Sequence, residues 1–198
     1  GPRNDVHLAG SYFISSQSLD MRLDMNRFDL SSVKPFLTEQ MRDIGGNIAG
    51  TMAVSGKLTA PKLNGTVQFD SAFIAPALLG ERFTLPDQEL RVTPEGIRLD
   101  NFVIRDSLGG KAVIDGSIAT TDFSDYEYDF YLTADNFQAV NTTRTANSQY
   151  FGKLNVDLDL AVYGNMKAPT LEGNIRVNEG TDFSVLLPGN NPEIVTRE

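Results

Sequence analysis

Gly50–Asp70 reads GTMAVSGKLTAPKLNGTVQFD, and Leu158–Asn178 reads LDLAVYGNMKAPTLEGNIRVN. Gly56, Ala60, Pro61, Leu63, Gly65, Val67 and Phe69 of the first answer to Gly164, Ala168, Pro169, Leu171, Gly173, Ile175 and Val177 of the second. The offset is constant (164 − 56 = 108). In each copy apolar residues alternate with polar ones, break at Ala-Pro, and resume in shifted phase. That is a strand, a turn and a strand, written twice. A repeated strand pair without a chemical signature points to a long β architecture rather than to an active site.

The repeat reaches further. Leu19–Leu30 resembles Asp129–Ala139, with Leu23 and Phe28 answering to Leu132 and Phe137 at an offset of 109 (132 − 23). Ordinary solenoid repeats run to roughly 20–50 residues, so each unit here must hold several strands. Period-two alternation also marks Met21–Met25, Leu90–Val92, Ile97–Leu99, Ala112–Ile118, Tyr126–Leu132 and Leu154–Val162. Turn signals separate the runs at Asn64-Gly65, Pro86-Asp87, Pro94-Glu95-Gly96, Gly109-Gly110 and Pro188-Gly189. The reading is an all-β chain of about a dozen strands. Clean alternation gives antiparallel sheet with one apolar and one wet face. A sandwich or barrel would cover the apolar face with protein; a sheet curled into an open trough would leave it for a ligand.

One segment departs from the pattern. In Ser31–Ile44, Val33, Phe36, Leu37, Met41 and Ile44 have the spacing of one helical face. Ser31 or Ser32 serves as cap, Pro35 suits the first turn, and Gly45-Gly46 ends it. One short helix is predicted there, packed on the sheet or acting as a plug on an apolar groove. The equivalent Val140–Tyr150 reads as loop. The expected organisation is a lead-in over 1–18, a repeated β-trough over 19–189 with units of about 19–107 and 108–189, and a truncated tail over 190–198. Gly1-Pro2 resembles the remnant of a protease cut, so the chain reads as a piece of something longer.

Composition narrows the chemistry. Lys and Arg number 17 against 26 Asp and Glu, a net charge of −9. This argues against nucleic acid, which needs clustered cations. Cysteine is absent and His7 is the one histidine, so disulfides, thiol nucleophiles, histidine triads and most zinc sites are excluded. Asp157 and Asp159 lie two apart on the polar phase of a strand and read as wet surface, as do Asp115 and Asp129. Gly109-Gly110-Lys111 lacks the rest of a phosphate loop. Gly116 and its counterparts in the apolar phase read as marks of sheet curvature. No run of about 18 apolar residues is present. Asn64-Gly65-Thr66, Asn141-Thr142-Thr143, Asp70-Ser71-Ala72 and Asp106-Ser107-Leu108 match short glycosylation signals that recur by chance. No catalytic, cofactor or metal site is expected, and the chain reads as a non-enzyme.

The pattern VxGxxxAPxLxGxVxF at Val54–Phe69, recurring as VxGxxxAPxLxGxIxV at Val162–Val177, resembles the C-terminal domain of the TamB family, the translocation and assembly proteins related to AsmA. Phe28–Leu37 is similar to the strand-to-helix passage ahead of that domain. Ile104-Arg105-Asp106, Gly109–Ala112 and Asp115–Ile118 resemble its next segment. Ala134–Phe137, Asn141–Thr143, Tyr150–Gly152 and Gly180–Phe183 look like the version found in Bacteroidetes. The order of these words, from about Leu19 to the end, carries the resemblance. It implies an elongated curled antiparallel sheet, a β-taco-like trough. It also implies a periplasmic segment of an inner-membrane-anchored protein. The function implied is passage of phospholipid acyl chains between inner and outer membrane, with a BamA-like outer-membrane barrel as partner through a C-terminal part not in this chain.

The expected lining of the groove is Val54, Leu63, Val67, Phe69, Leu99, Ile104, Ile114, Ile118, Phe130, Leu132, Leu158, Leu160, Val162, Leu171 and Ile175. If the trough is open, aspartates placed at Val67 and Leu160 should leave the fold intact. The competing readings are an assembly module for outer-membrane proteins, acting by strand augmentation, and a structural β-repeat adhesin with a self-filled core.

Overall fold

The computed structural model describes residues 4–120, 125–145, 149–165 and 167–186. The twelve strands are β1 (Asp5–Phe13), β2 (Ser18–Asp29), β3 (Met41–Lys57), β4 (Ala60–Pro76), β5 (Phe83–Leu85), β6 (Glu89–Thr93), β7 (Gly96–Arg105), β8 (Lys111–Thr120), β9 (Tyr126–Thr142), β10 (Tyr150–Asn165), β11 (Ala168–Val177) and β12 (Asp182–Val185). They form one antiparallel sheet in the order β1-β2-β3-β4-β5-β7-β8-β9-β10-β11, with β6 between β4 and β7 and β12 beside β10. The all-β, antiparallel expectation holds.

The repeat is written into the hydrogen-bond register. Met21 faces Val54 and Leu23 faces Met52 in β2–β3; Phe130 faces Val162 and Leu132 faces Leu160 in β9–β10. Each pair of strands then slips at the same place. The register passes from Met25–Gly50 to Phe28–Ile48 in the first, and from Ala134–Leu158 to Phe137–Val156 in the second. Gly56 faces Pro61 and Gly164 faces Pro169, so both prolines occupy the same turn. The later part of β4 answers to β12: Gly45 faces Phe73 and Lys153 faces Asp182.

Ahead of β2, β1 repeats β8. Leu8 faces Leu23 as Ile114 faces Leu132, and Gly10 faces Met21 as Gly116 faces Phe130. The two glycines do the same job. A Cβ on Gly10 would lie 2.2 Å from the Asp20 carbonyl oxygen, and one on Gly116 would lie 2.2 Å from that of Asp129. Only a bare Cα lets the neighbouring backbone approach so closely.

The helix is shorter than the sequence suggested. It is a 3-10 helix over Leu30–Phe36, capped by Asp29, whose side chain accepts the Ser31 N–H. Met41 and Ile44 lie instead on β3, where Ile44 faces Ile74. Three apolar residues before Thr38 are too few for a stable α-helix, and pairing with β4 takes the rest. Phe36 is 84% exposed, so the helix is no plug; Leu30 packs on the core. Likewise Val140–Thr142, read as loop, continue β9, and Val140 is buried.

Two clusters form the core. Phe69, Ala72, Leu85, Leu99 and Phe102 make the first, with the Phe69 and Phe102 rings 5.9 Å apart edge to face. Phe83, Ala112 and Phe137 make the second, with Phe83 and Phe137 stacked at 5.4 Å. A single flat layer leaves both faces in water. Val67, Phe69, Leu99, Phe102 and Leu160 are each under 10% exposed with no second layer among the described residues. The sheet therefore curls over this face. The bulges supply the bends, since each adds an unpaired residue and local twist.

One end of the curl is tied by polar groups. The segment between β4 and β5 crosses to β9, where Asn141 N–H donates to the Leu79 carbonyl (2.9 Å). Buried Glu81 accepts from Ser107 N–H (3.1 Å) and from Gln138 Nε2 (2.8 Å). Asp106 accepts from the Gln138 N–H (2.6 Å) and the Gly110 N–H (2.7 Å). Carboxylates this buried persist only when their oxygens are satisfied.

Candidate functional site: the apolar face

Residues opposite one another in an antiparallel ladder share a face, so the register places every expected lining residue. Val54 faces Leu63, and Gly50 and Ile48 face Val67 and Phe69. Val67 faces Leu90, and Val92 faces Ile97. Ile97 and Leu99 face Ile118 and Gly116, and after the bulge Phe102 and Ile104 face Ile114 and Ala112. Ile114 and Gly116 face Leu132 and Phe130. Phe130, Leu132 and Ala134 face Val162, Leu160 and Leu158. Val162 and Leu158 face Leu171 and Ile175. All fifteen residues lie on one face, continuous from β3 to β11.

Their burial divides them. Val67, Phe69, Leu99 and Leu160 are buried. Val54, Leu63, Ile104, Ile114, Ile118, Phe130, Leu132, Leu158 and Val162 are half-buried. Leu171 and Ile175 are exposed, at 59% and 61%. The middle of the face is thus filled by its own side chains, and the face opens toward the sheet's ends. Burial overturns the expectation that aspartates at Val67 and Leu160 would be tolerated, because neither side chain stands in open water.

The face also reaches residues outside the expected lining. Val6, Leu8 and Tyr12 of β1 face Met25, Leu23 and Leu19 of β2, and Leu8 is 57% exposed. The alternation Val6, Leu8, Gly10, Tyr12 was there to be read. Val177 extends the other end, facing Val156.

The opposite face is polar. Asp115 faces Tyr131, Asp129 faces Ser117, Asp159 faces Asn174 and Asp157 faces Arg176. Two of these carboxylates have a structural task beyond hydration. Asn101 and Asn136 stand in the left-handed region at bulges, with φ of 50° and 43°. The Asn101 N–H donates to Asp115 Oδ1 (2.6 Å), and the Asn136 N–H to Asp157 Oδ1 (2.8 Å). Each aspartate thus occupies a backbone donor that the bulge has removed from the ladder.

Asp157 has its pKa held below the ordinary carboxylate range, first by that Asn136 N–H, then by the Asn178 side-chain amide and the nearby Arg176. Thr51 and Arg22 lower Asp24, and Lys34 lowers Asp43. A depressed folded-state pKa stabilises the fold above the unfolded-state value, and the contribution is lost as pH falls through the folded value. Asp157→Asn is therefore expected to lower the thermal midpoint near neutrality, with a deficit that shrinks as pH drops below the carboxylate range. A deficit constant with pH in thermal melts would contradict this role.

A cavity of about 690 Å³ lies at the turn end, where Lys62, Glu95, Tyr126, Asn165 and Lys167 line it. Among the described residues no group of three or more His, Cys, Asp or Glu is placed to hold a metal, and no helix is long and apolar enough to cross a membrane. His7 is exposed on β1. What the geometry defines is a curled single-layer β-sheet with one broad apolar face.

Residues 100–197 match the family model of the TamB C-terminal domain. The chain therefore carries a TamB-family domain, which places it among proteins of the cell envelope. No curated protein and no solved structure matches the chain. The family match begins within β7, so β1–β4 lie outside it; the repeated register connects them to the matched half.

Proposed function

We propose that this chain is a non-enzymatic segment of a periplasm-crossing protein whose apolar β-face binds phospholipid acyl chains and passes them between the inner and outer membranes. The observation that carries this reading is the uninterrupted apolar face from β1 to β11, with its exposed stretches at both ends. An acyl chain on such a face gains roughly 0.8 kcal/mol per buried CH₂, so a 16-carbon chain gains on the order of 10 kcal/mol. The head group stays in water. Binding of this kind needs breadth of lining and no positioned polar group. The curl lets two walls of the sheet meet one chain, which raises the area buried per methylene. A BamA-like outer-membrane barrel is the proposed partner, engaged by sequence outside this chain.

Native mass spectrometry of the chain, expressed in a Gram-negative host and purified without detergent, tests the proposal. The expected spectrum contains adducts with phospholipid masses that vanish on delipidation. A ligand-free spectrum from the same host would contradict it and favour a closed structural repeat. The exposed apolar residues of β1 and β11 speak against that closed alternative. A second reading, assembly of envelope proteins by strand augmentation, is favoured by one specific observation: among the described residues the outer edge of β11 pairs with nothing.

A further inference from the structure

The internal repeat makes β11 the counterpart of β4, and β4 shows what belongs on that edge. β6 lies antiparallel along β4, with Val92 opposite Gly65, Arg91 opposite Thr66, Leu90 opposite Val67 and Glu89 opposite Gln68. The Phe69 N–H continues the ladder to the Gln88 carbonyl (3.0 Å). At the offset of 108, Gly65, Thr66, Val67 and Gln68 become Gly173, Asn174, Ile175 and Arg176. The inner side of β11 repeats the inner side of β4 as well, since Met52 faces Gly65 as Leu160 faces Gly173. Every residue of β11 is exposed. A ten-residue strand with one apolar face and an unprotected edge templates another strand.

We propose that the β11 edge is a strand-receiving site. Its occupant is an extended segment of another polypeptide, antiparallel and patterned as β6 is: acidic, apolar, polar, apolar. The proposal rests on the strand-augmentation reading, not on lipid binding, and sets its register. The apolar residues of the incoming strand sit opposite Ile175 and Gly173 and prolong the apolar face. Its acidic residue sits opposite Arg176, whose side chain is 81% exposed and lies 3.5 Å from Asp157. The second copy is better suited to an acidic residue than the first, where Glu89 faces the neutral Gln68.

The probe is a fluorescent peptide with the sequence of Pro86–Pro94 (PDQELRVTP), titrated by anisotropy into the whole 198-residue chain. Saturable binding is expected. N-methylation of one alternating set of peptide amides should abolish it, and methylation of the other set should not, because only one set faces the edge. Arg176→Glu should weaken binding about threefold, and a peptide carrying Glu89→Lys should restore it, as cross-strand charge pairs do. No saturable binding would overturn the proposal. So would binding indifferent to which amides are methylated, since that is adsorption to the apolar face. Pairing of the chain with itself through this edge, seen in sedimentation and not competed by the peptide, would also overturn it, with a second copy as occupant. Lipid adducts can be present or absent in any of these outcomes, so the two proposals fail separately.

Discussion

Leu160→Asp is expected to lower the stability of the protein sharply, and Ile175→Asp to leave it nearly unchanged. Both residues belong to the apolar face, and each lies on one of two adjacent strands. Leu160 is 7% exposed and Ile175 is 61% exposed. An aspartate at Leu160 loses the packing against Leu132 and places a carboxylate where water has little access. Together these cost roughly 4 kcal/mol, a large share of the 5–15 kcal/mol that holds a typical domain. At Ile175 the new carboxylate stands in water, and the cost is under about 1 kcal/mol. Urea unfolding of the two variants measures the difference. Equal midpoints would mean that the face is open at Leu160, and that the curl inferred from burial is wrong.

Gly116→Val carries the second large effect. The side chain would meet the Asp129 carbonyl oxygen at 2.2 Å and Phe130 Cα at 2.6 Å, both backbone atoms of the partner strand, at a φ of +141°. Neither can move without parting β8 from β9 in the middle of the sheet. The loss expected is about 3 kcal/mol, a fall of roughly 6–12 °C in thermal midpoint for a chain of this size. Gly10→Val creates the same clash with Asp20, but on the edge strand β1, which can fray. Its loss should be clearly smaller. Equal losses in parallel melts would show that β1 is as firmly held as β8, against the exposure of all nine of its residues.

Much of this fold was open to a reader of the sequence. Alternation is a local signal, and one face of an antiparallel ladder collects alternate residues whatever the strand order. That is why fifteen residues chosen by period alone share a face. The repeat was legible where the side chains themselves recur, as at Gly56-Pro61 and Gly164-Pro169. Between β1 and β8 few side chains recur beyond a shared Gly-Ser and the apolar alternation, and the repeat shows chiefly in the register around Gly10 and Gly116. The helix misread has a physical cause too. Met41 and Ile44 fit a helical stripe, but hydrogen bonds to β4, thirty residues away in sequence, decide their conformation. Nothing local links Glu81, Asp106 and Gln138, since the tie between them closes through the fold. Nor does the sequence say which apolar residues end up buried. Leu160 and Ile175 carry the same pattern and differ only in how far the sheet curls over them.

The central claim is that lipid lies on this face and on no other. A photo-reactive amino acid placed at Leu8, Leu171 or Ile175 should crosslink phospholipid in living cells. The same group at Asn174 or Arg176, on the polar side of the same strand, should not. Positions on both faces of β11 are exposed, so access to solvent cannot account for a difference. Lipid adducts confined to the apolar positions are the result expected. Adducts at both sets alike, or at neither, would contradict the account.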